Sequence, residues 1–187
     1  ITIQEKIKEN KERIEEATTQ AEIYKNQKEI IKKYKEFYGL NEEATLDQIK
    51  DAVISKGYEW FEEGDYNINI VGVRNKSVGD RVTNRFDDHI TISYKVDGEW
   101  QFHCYECTTD PGTHWVENIM RKEGVAVLKP GQYRASHKIR LHAGKYPALG
   151  QQRDVTVYRD NNKDGKYDLD DNNTQTGLFG INIHRAT

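Results

Sequence analysis

The residue types best suited to chemistry lie in three short stretches. Asp160-Asn161-Asn162-Lys163-Asp164-Gly165-Lys166-Tyr167-Asp168-Leu169-Asp170-Asp171 begins as D-x-[DN]-x-[DN]-G, a spacing that gathers hard oxygen ligands on a tight loop, as calcium requires. Asp160, Asn162 and Asp164 would offer side-chain oxygens and Lys166 its carbonyl. Asp168 would stand at position nine, and Asp171 at position twelve in place of the usual Glu. Gly165 permits the sharp turn. An ion here would be structural and would brace a connection between two strands. The alternative is an Asx-rich turn that needs no ion.

The second stretch is His103-Cys104-Tyr105-Glu106-Cys107, with His114 beyond it. Cys-x-x-Cys with histidines nearby has the composition of a zinc or redox site. The run also alternates like a strand, which would turn Cys104 and Cys107 to opposite faces, and no second Cys-x-x-Cys accompanies it. Two cysteines on a strand and its exit loop are therefore expected. The third stretch is Gly177-Leu178-Phe179-Gly180-Ile181-Asn182-Ile183-His184-Arg185. Here a histidine ends an apolar strand, where the backbone fixes the ring while its tip reaches solvent.

These stretches need elements to hold them. From Tyr66 the pattern has a period of two: Ile68 and Ile70, then Ile90, Ile92 and Tyr94, then an Asp97-Gly98 turn into Trp100, Phe102 and Cys104. That is a hairpin signature. Further strands are expected over 125–128, 133–141, 154–158 and 178–184, punctuated by Pro130-Gly131 and Pro147. Before them, residues 1–38 contain no Gly or Pro and carry Ile3, Ile7, Ile14, Ala17, Ala21, Tyr24 and Ile31 at three- and four-residue steps, a narrow heptad-like stripe. It suits a solvated helix packed on its own domain, or a coiled coil that docks the chain into a homo-oligomer or larger assembly. Thr45 and Gln48 have capping-box spacing ahead of a second helix that Gly57 would end. The expected architecture is thus mainly β, a sandwich or barrel-like mixed sheet over 66–187, behind an N-terminal α-helical arm and hairpin over 1–62.

Composition narrows the partners. The chain has 187 residues, 35% hydrophobic and 32% charged, with a net charge of -3. That charge creates no field favouring nucleic acid or an anionic membrane. No apolar run approaches the ~20 residues of a membrane helix. No secretion signal opens the chain, and its start at Ile1 rather than Met leads to the expectation of a natural start upstream.

The β region resembles a known family. Thr108-Thr109-Asp110-Pro111-Gly112, Pro130-Gly131-Gln132-Tyr133, His142, the run from Asp154 to Asn162, and Gly180-Ile181-Asn182-Ile183-His184 are similar to phage and bacterial proteins related to the L,D-transpeptidase (YkuD-type) catalytic domain. The resemblance covers about residues 68–187 and leaves out the helical arm. It implies a peptidoglycan-acting domain, virion-associated or in the cell envelope, whose substrates are stem peptides and whose catalysis needs no cofactor. His184 would be the general base, with Tyr133 and His142 near the substrate. In that family the histidine precedes a Ser-x-Gly-Cys segment whose cysteine attacks a peptide carbonyl. Cys104 and Cys107 do not occupy that position, so the nucleophile is expected beyond Thr187. Without one, the expectation is a catalytically inactive, calcium-braced assembly module of a virion or cell-surface complex.

Overall fold

The computed structural model describes residues 10–16, 18, 19, 21–23, 25, 26, 29, 44–76 and 79–185. The chain divides into two compact units, Ile1–Glu43 and Ala44–Thr187. In the first, every described residue between 10 and 29 is helical, and Ile14 and Ile23 are exposed. Of the apolar stripe, Ile14 and Ala21 are among the described residues, whereas Ile3, Ile7, Ala17, Tyr24, Ile31 and the turn at Gly39 lie outside them.

The second unit opens with α1 (Leu46–Ser55), which begins as its sequence dictates. The Thr45 amide donates to Gln48 Oε1 at 2.9 Å, and the Gln48 amide donates to Thr45 Oγ1 at 3.3 Å. Two otherwise unpaired donors are satisfied reciprocally. Gly57 follows at φ 73°. α1 thus belongs to the same unit as the strands that follow.

The body is mainly β, built as three small antiparallel sheets. β1 (Asn69–Val73), β2 (Asp88–Val96) and β3 (Glu99–Cys107) form the first, in that order. The β2–β3 turn is Asp97-Gly98, both at positive φ (51° and 80°), the type I′ geometry that matches strand twist. Asp65 steadies it, accepting from the Asp97 and Gly98 amides at 2.9 and 3.0 Å. The small residues Thr91 and Ser93 of the central strand are the ones fully covered.

β4 (Ala126–Leu128), β7 (Val155–Arg159) and β8 (Thr174–Gly177) form the second sheet, with β7 in the middle. Val127, Val155 and Val157 are buried there, and Val116, Val125, Tyr158 and Tyr167 complete the apolar centre. Val116 comes from α2 (Thr113–Glu117), a short helix with no strong sequence signal. β5 (His137–His142) and β6 (Tyr146–Gln151) make a separate hairpin. Pro147 sits inside β6, opposite Leu141. A two-stranded ribbon has room for a residue without an N–H.

Arg74 ties the first sheet to the second, and Asp88 braces the segments that leave β1 and β3. Arg74 donates to the Leu128 carbonyl at 3.2 Å and to Thr109 Oγ1 at 3.0 Å, and pairs with Asp110 at 2.8 Å. Buried Asp88 accepts from the Asn75 amide and from both the amide and hydroxyl of Thr109, each at 2.7 Å.

Two strand expectations are corrected. The stretch 178–184 is not a strand. β8 lies just before it, and among the described residues after Gly177 only Ile183 bridges, to Leu149. Gly180 at φ 75° turns the chain out of extended geometry. The stretch 133–141 contributes only its second half to β5, because Ala135 at φ 50° breaks the extended run.

Candidate functional site

His184 is held by a segment most of whose backbone bonds run to side chains. Gln151, 6% exposed, uses one carbonyl oxygen to accept from the amides of Phe179, Gly180 and Ile181, at 3.0, 3.0 and 3.1 Å. Its amide nitrogen donates to the Arg153 and Gly177 carbonyls. His137 Nε2 donates to the Ile181 carbonyl at 2.8 Å. Asn182 Oδ1 accepts from the Gln151 amide at 3.0 Å. Leu149 and Ile183 exchange both backbone bonds at 2.9 Å. The turn into His184 is therefore held by side chains and backbone of β5 and β6, and it is fixed although it belongs to no sheet.

The tip of the same hairpin supplies the neighbours. Ala143 and Gly144, both at positive φ, close the β5–β6 turn and set His142 opposite Tyr146. The His142 and His184 rings stack with centroids 4.3 Å apart and planes 16° apart. Tyr146 lies tilted on His142 at 5.4 Å, and its hydroxyl is 3.2 Å from His184 Nδ1. The Arg185 guanidinium covers the Tyr146 ring at 4.6 Å, a cation–π contact.

The tautomer of His184 follows from a further contact. Nδ1 lies 2.8 Å from the Arg185 carbonyl. A carbonyl oxygen only accepts, so Nδ1 carries the hydrogen, and in the neutral ring Nε2 then holds the lone pair. His184 is exposed, so that nitrogen belongs to a ring solvent can reach. Two open hollows of about 380 Å³ flank the hairpin, near the small end of ligand-sized clefts. His142 lines one with Arg140 and Asn182; His184 lines the other with Ile139, Leu149 and Arg185. Arg140 and Arg185 make the rims cationic.

Of the expected substrate residues, His142 meets His184 and Tyr133 serves elsewhere. The Tyr133 hydroxyl donates to the Lys129 carbonyl at 2.8 Å and lies 3.2 Å from that of Thr156. Burial pushes its pKa up. It ties the 129–133 turn to β7. Tyr146, Gln151 and Arg185 were missed. Tyr146 could have been found as the cross-strand partner of His142 about the Ala143-Gly144 turn; nothing in the sequence marks Gln151.

The acidic loop connects β7 to β8. Asp160, Asp164 and Asp168 each place a ligand oxygen within 4.8 Å of the others. Asn162 donates to Asp168 Oδ1 at 3.2 Å and accepts from the Asp164 amide at 2.9 Å. The Lys166 amide donates to Asp164 Oδ1 at 3.0 Å. Asp171 lies outside that trio: its Oδ1 accepts from Lys129 Nζ at 2.8 Å and from the Tyr158 hydroxyl at 3.1 Å. Lys129 holds its pKa below the usual carboxylate range.

Cys104 and Cys107 both lie on β3, opposite Thr91 and Asp88, and are thiols rather than a disulfide. Three residues apart on one strand, they face opposite sides. Burial, and then the Asp88 carboxylate, push the Cys107 thiol up to about 12, which leaves it a poor nucleophile.

No protein family, curated protein or solved structure matches this chain.

Proposed function

We propose that residues 66–187 belong to a peptidoglycan-acting domain of L,D-transpeptidase type, with His184 as its general base. The observation that carries this reading is the 2.8 Å contact from Nδ1 to the Arg185 carbonyl, which makes Nε2 the proton-accepting nitrogen of the neutral, exposed ring. In this chemistry a cysteine thiol gives its proton to Nε2. The sulfur attacks a stem-peptide carbonyl and forms a thioester. The departing amine takes the proton back from the imidazolium, and an incoming amine or water then releases the acyl group. The thiol would come from a Ser-x-Gly-Cys segment following Thr187. The cationic rims of Arg140 and Arg185 suit the carboxylates of stem peptides. Residues 1–38 would tether the domain to a virion or cell-envelope assembly.

The test is to incubate the natural full-length protein with muropeptides and follow products by mass spectrometry. Exchange or cleavage products and an acyl adduct on a cysteine are expected, with turnover falling about 10²–10⁴-fold in His184→Ala. Absence of product and adduct, or full activity in His184→Ala, overturns the reading.

A second reading, a non-catalytic, calcium-braced assembly module, is favoured by the Asp160, Asp164 and Asp168 carboxylates that converge within 4.8 Å on the loop between β7 and β8. If no cysteine of the full-length protein reaches His184, this second reading stands.

A further inference from the structure

We propose that the loop from Asp160 to Asp168 is a calcium site, with the carboxylates of Asp160, Asp164 and Asp168 as its charged ligands. Acidic clusters are common on surfaces, and three carboxylates alone would carry no such conclusion. The distinguishing feature is Asp160. It is 1% exposed, and while its Oδ1 accepts from the Lys163 amide at 2.9 Å, its Oδ2 is buried with no hydrogen-bond partner. A buried carboxylate oxygen without a donor is costly. The surroundings make it costlier, because Asp164 and Asp168 add like charge at close range. A divalent cation among the three offsets all of these penalties at once.

The dimensions favour calcium. Its oxygen ligands stand at roughly 2.4 Å, so two of them can be at most ~4.8 Å apart. The three carboxylates already meet that limit. Magnesium, with strict octahedral geometry, dehydrates reluctantly and keeps several waters, so a loop of protein oxygens suits it less well. Asn162 and Lys166 occupy the third and seventh positions of the loop, where an amide oxygen and a main-chain carbonyl complete a calcium shell.

The base of the site is rigid. The Asp160 amide donates to the Val125 carbonyl, and Gly124 passes so close to the Asp160 carbonyl that an added Cβ would sit 1.6 Å from it. At the loop's far side Tyr167 is buried, and its hydroxyl donates to the Pro111 carbonyl. An ion would thus lock the β7–β8 connection between two anchored points. This proposal does not rest on the catalytic reading of His184.

The experiment is calorimetric titration of the chelator-treated chain with calcium chloride, and separately with magnesium chloride, alongside thermal melts. One calcium per chain is expected, with the melting temperature rising by about 5–10 °C at hundredfold excess over the dissociation constant. Asp164→Asn, at an exposed position, should keep the fold by circular dichroism and lower calcium affinity at least tenfold. Asp160→Asn, which keeps the shape of the buried side chain, should do the same. Three outcomes overturn the site: no heat and no melting shift up to about 10 mM calcium, equal response to magnesium, or unchanged calcium affinity in both variants.

Discussion

The acidic loop and the histidine cleft lie on the two sides of β8, and they are assembled by opposite means. In the loop, carboxylates four residues apart converge, and the amides of Lys163, Asp164 and Lys166 bond to side chains two or three residues earlier. The arrangement is written in local spacing. In the cleft, His142 and His184 come from distant parts of the chain, and what brings them together is the side chain of Gln151, supported by His137 and Asn182. A site built from neighbours in sequence announces itself as a motif. A site built by one buried amide across a hairpin does not.

The largest expected effect challenges the local half of that contrast. Gly124 lies far from the loop in sequence, yet its φ of 75° and the close approach of the Asp160 carbonyl exclude any side chain. Gly124→Ala should cost about 3 kcal/mol or more in urea denaturation, through overpacking and backbone strain together. It should also weaken calcium binding. A cost below about 1 kcal/mol would mean that the loop does not depend on the segment leading into β4 for its footing.

Next in size is Gln151→Ala. It leaves three amides and two carbonyls without their partner. The expected loss is roughly 2–3 kcal/mol, tempered because the cleft is open and water can reach part of the segment. The His184 ring resonances should broaden or shift in NMR spectra, while calcium affinity stays within about twofold, since the loop does not share this support. A stable variant with unmoved His184 signals would remove Gln151 from the positioning of the cleft.

The β2–β3 hairpin was readable because alternation, an Asp-Gly turn and strand propensity agree over Asp88–Cys107. The start of α1 was readable because its cap is made of adjacent residues. The run after Gly177 misled because apolar alternation describes which side chains could be buried, not where the backbone bonds go. Gln151 intercepts the amides a neighbouring strand would have taken. α2 offered too few residues for a period to show. Tyr133 looked like a cleft residue by resemblance, yet its hydroxyl is occupied by two carbonyls.

The smallest effect separates the loop's sequence pattern from its geometry. By spacing, Asp171 holds the twelfth position; in space, it pairs with Lys129 and Tyr158. Asp171→Asn should therefore change calcium affinity by less than about threefold, against at least tenfold for Asp164→Asn. Its effect should appear in pH dependence instead. The Lys129 hydrogen bond lowers the folded-state pKa of Asp171. The ionised form is favoured by folding, so the stabilisation is present above the ordinary carboxyl pKa and is lost as pH falls through the lowered one. The denaturation midpoints of wild type and Asp171→Asn should differ slightly at neutral pH and converge in acid. Because the Asp171 side chain is 73% exposed, that gap should also narrow with added salt. A tenfold loss of calcium affinity with a pH-independent gap would return Asp171 to the metal shell and show that spacing, not the Lys129 pair, governs the end of the loop.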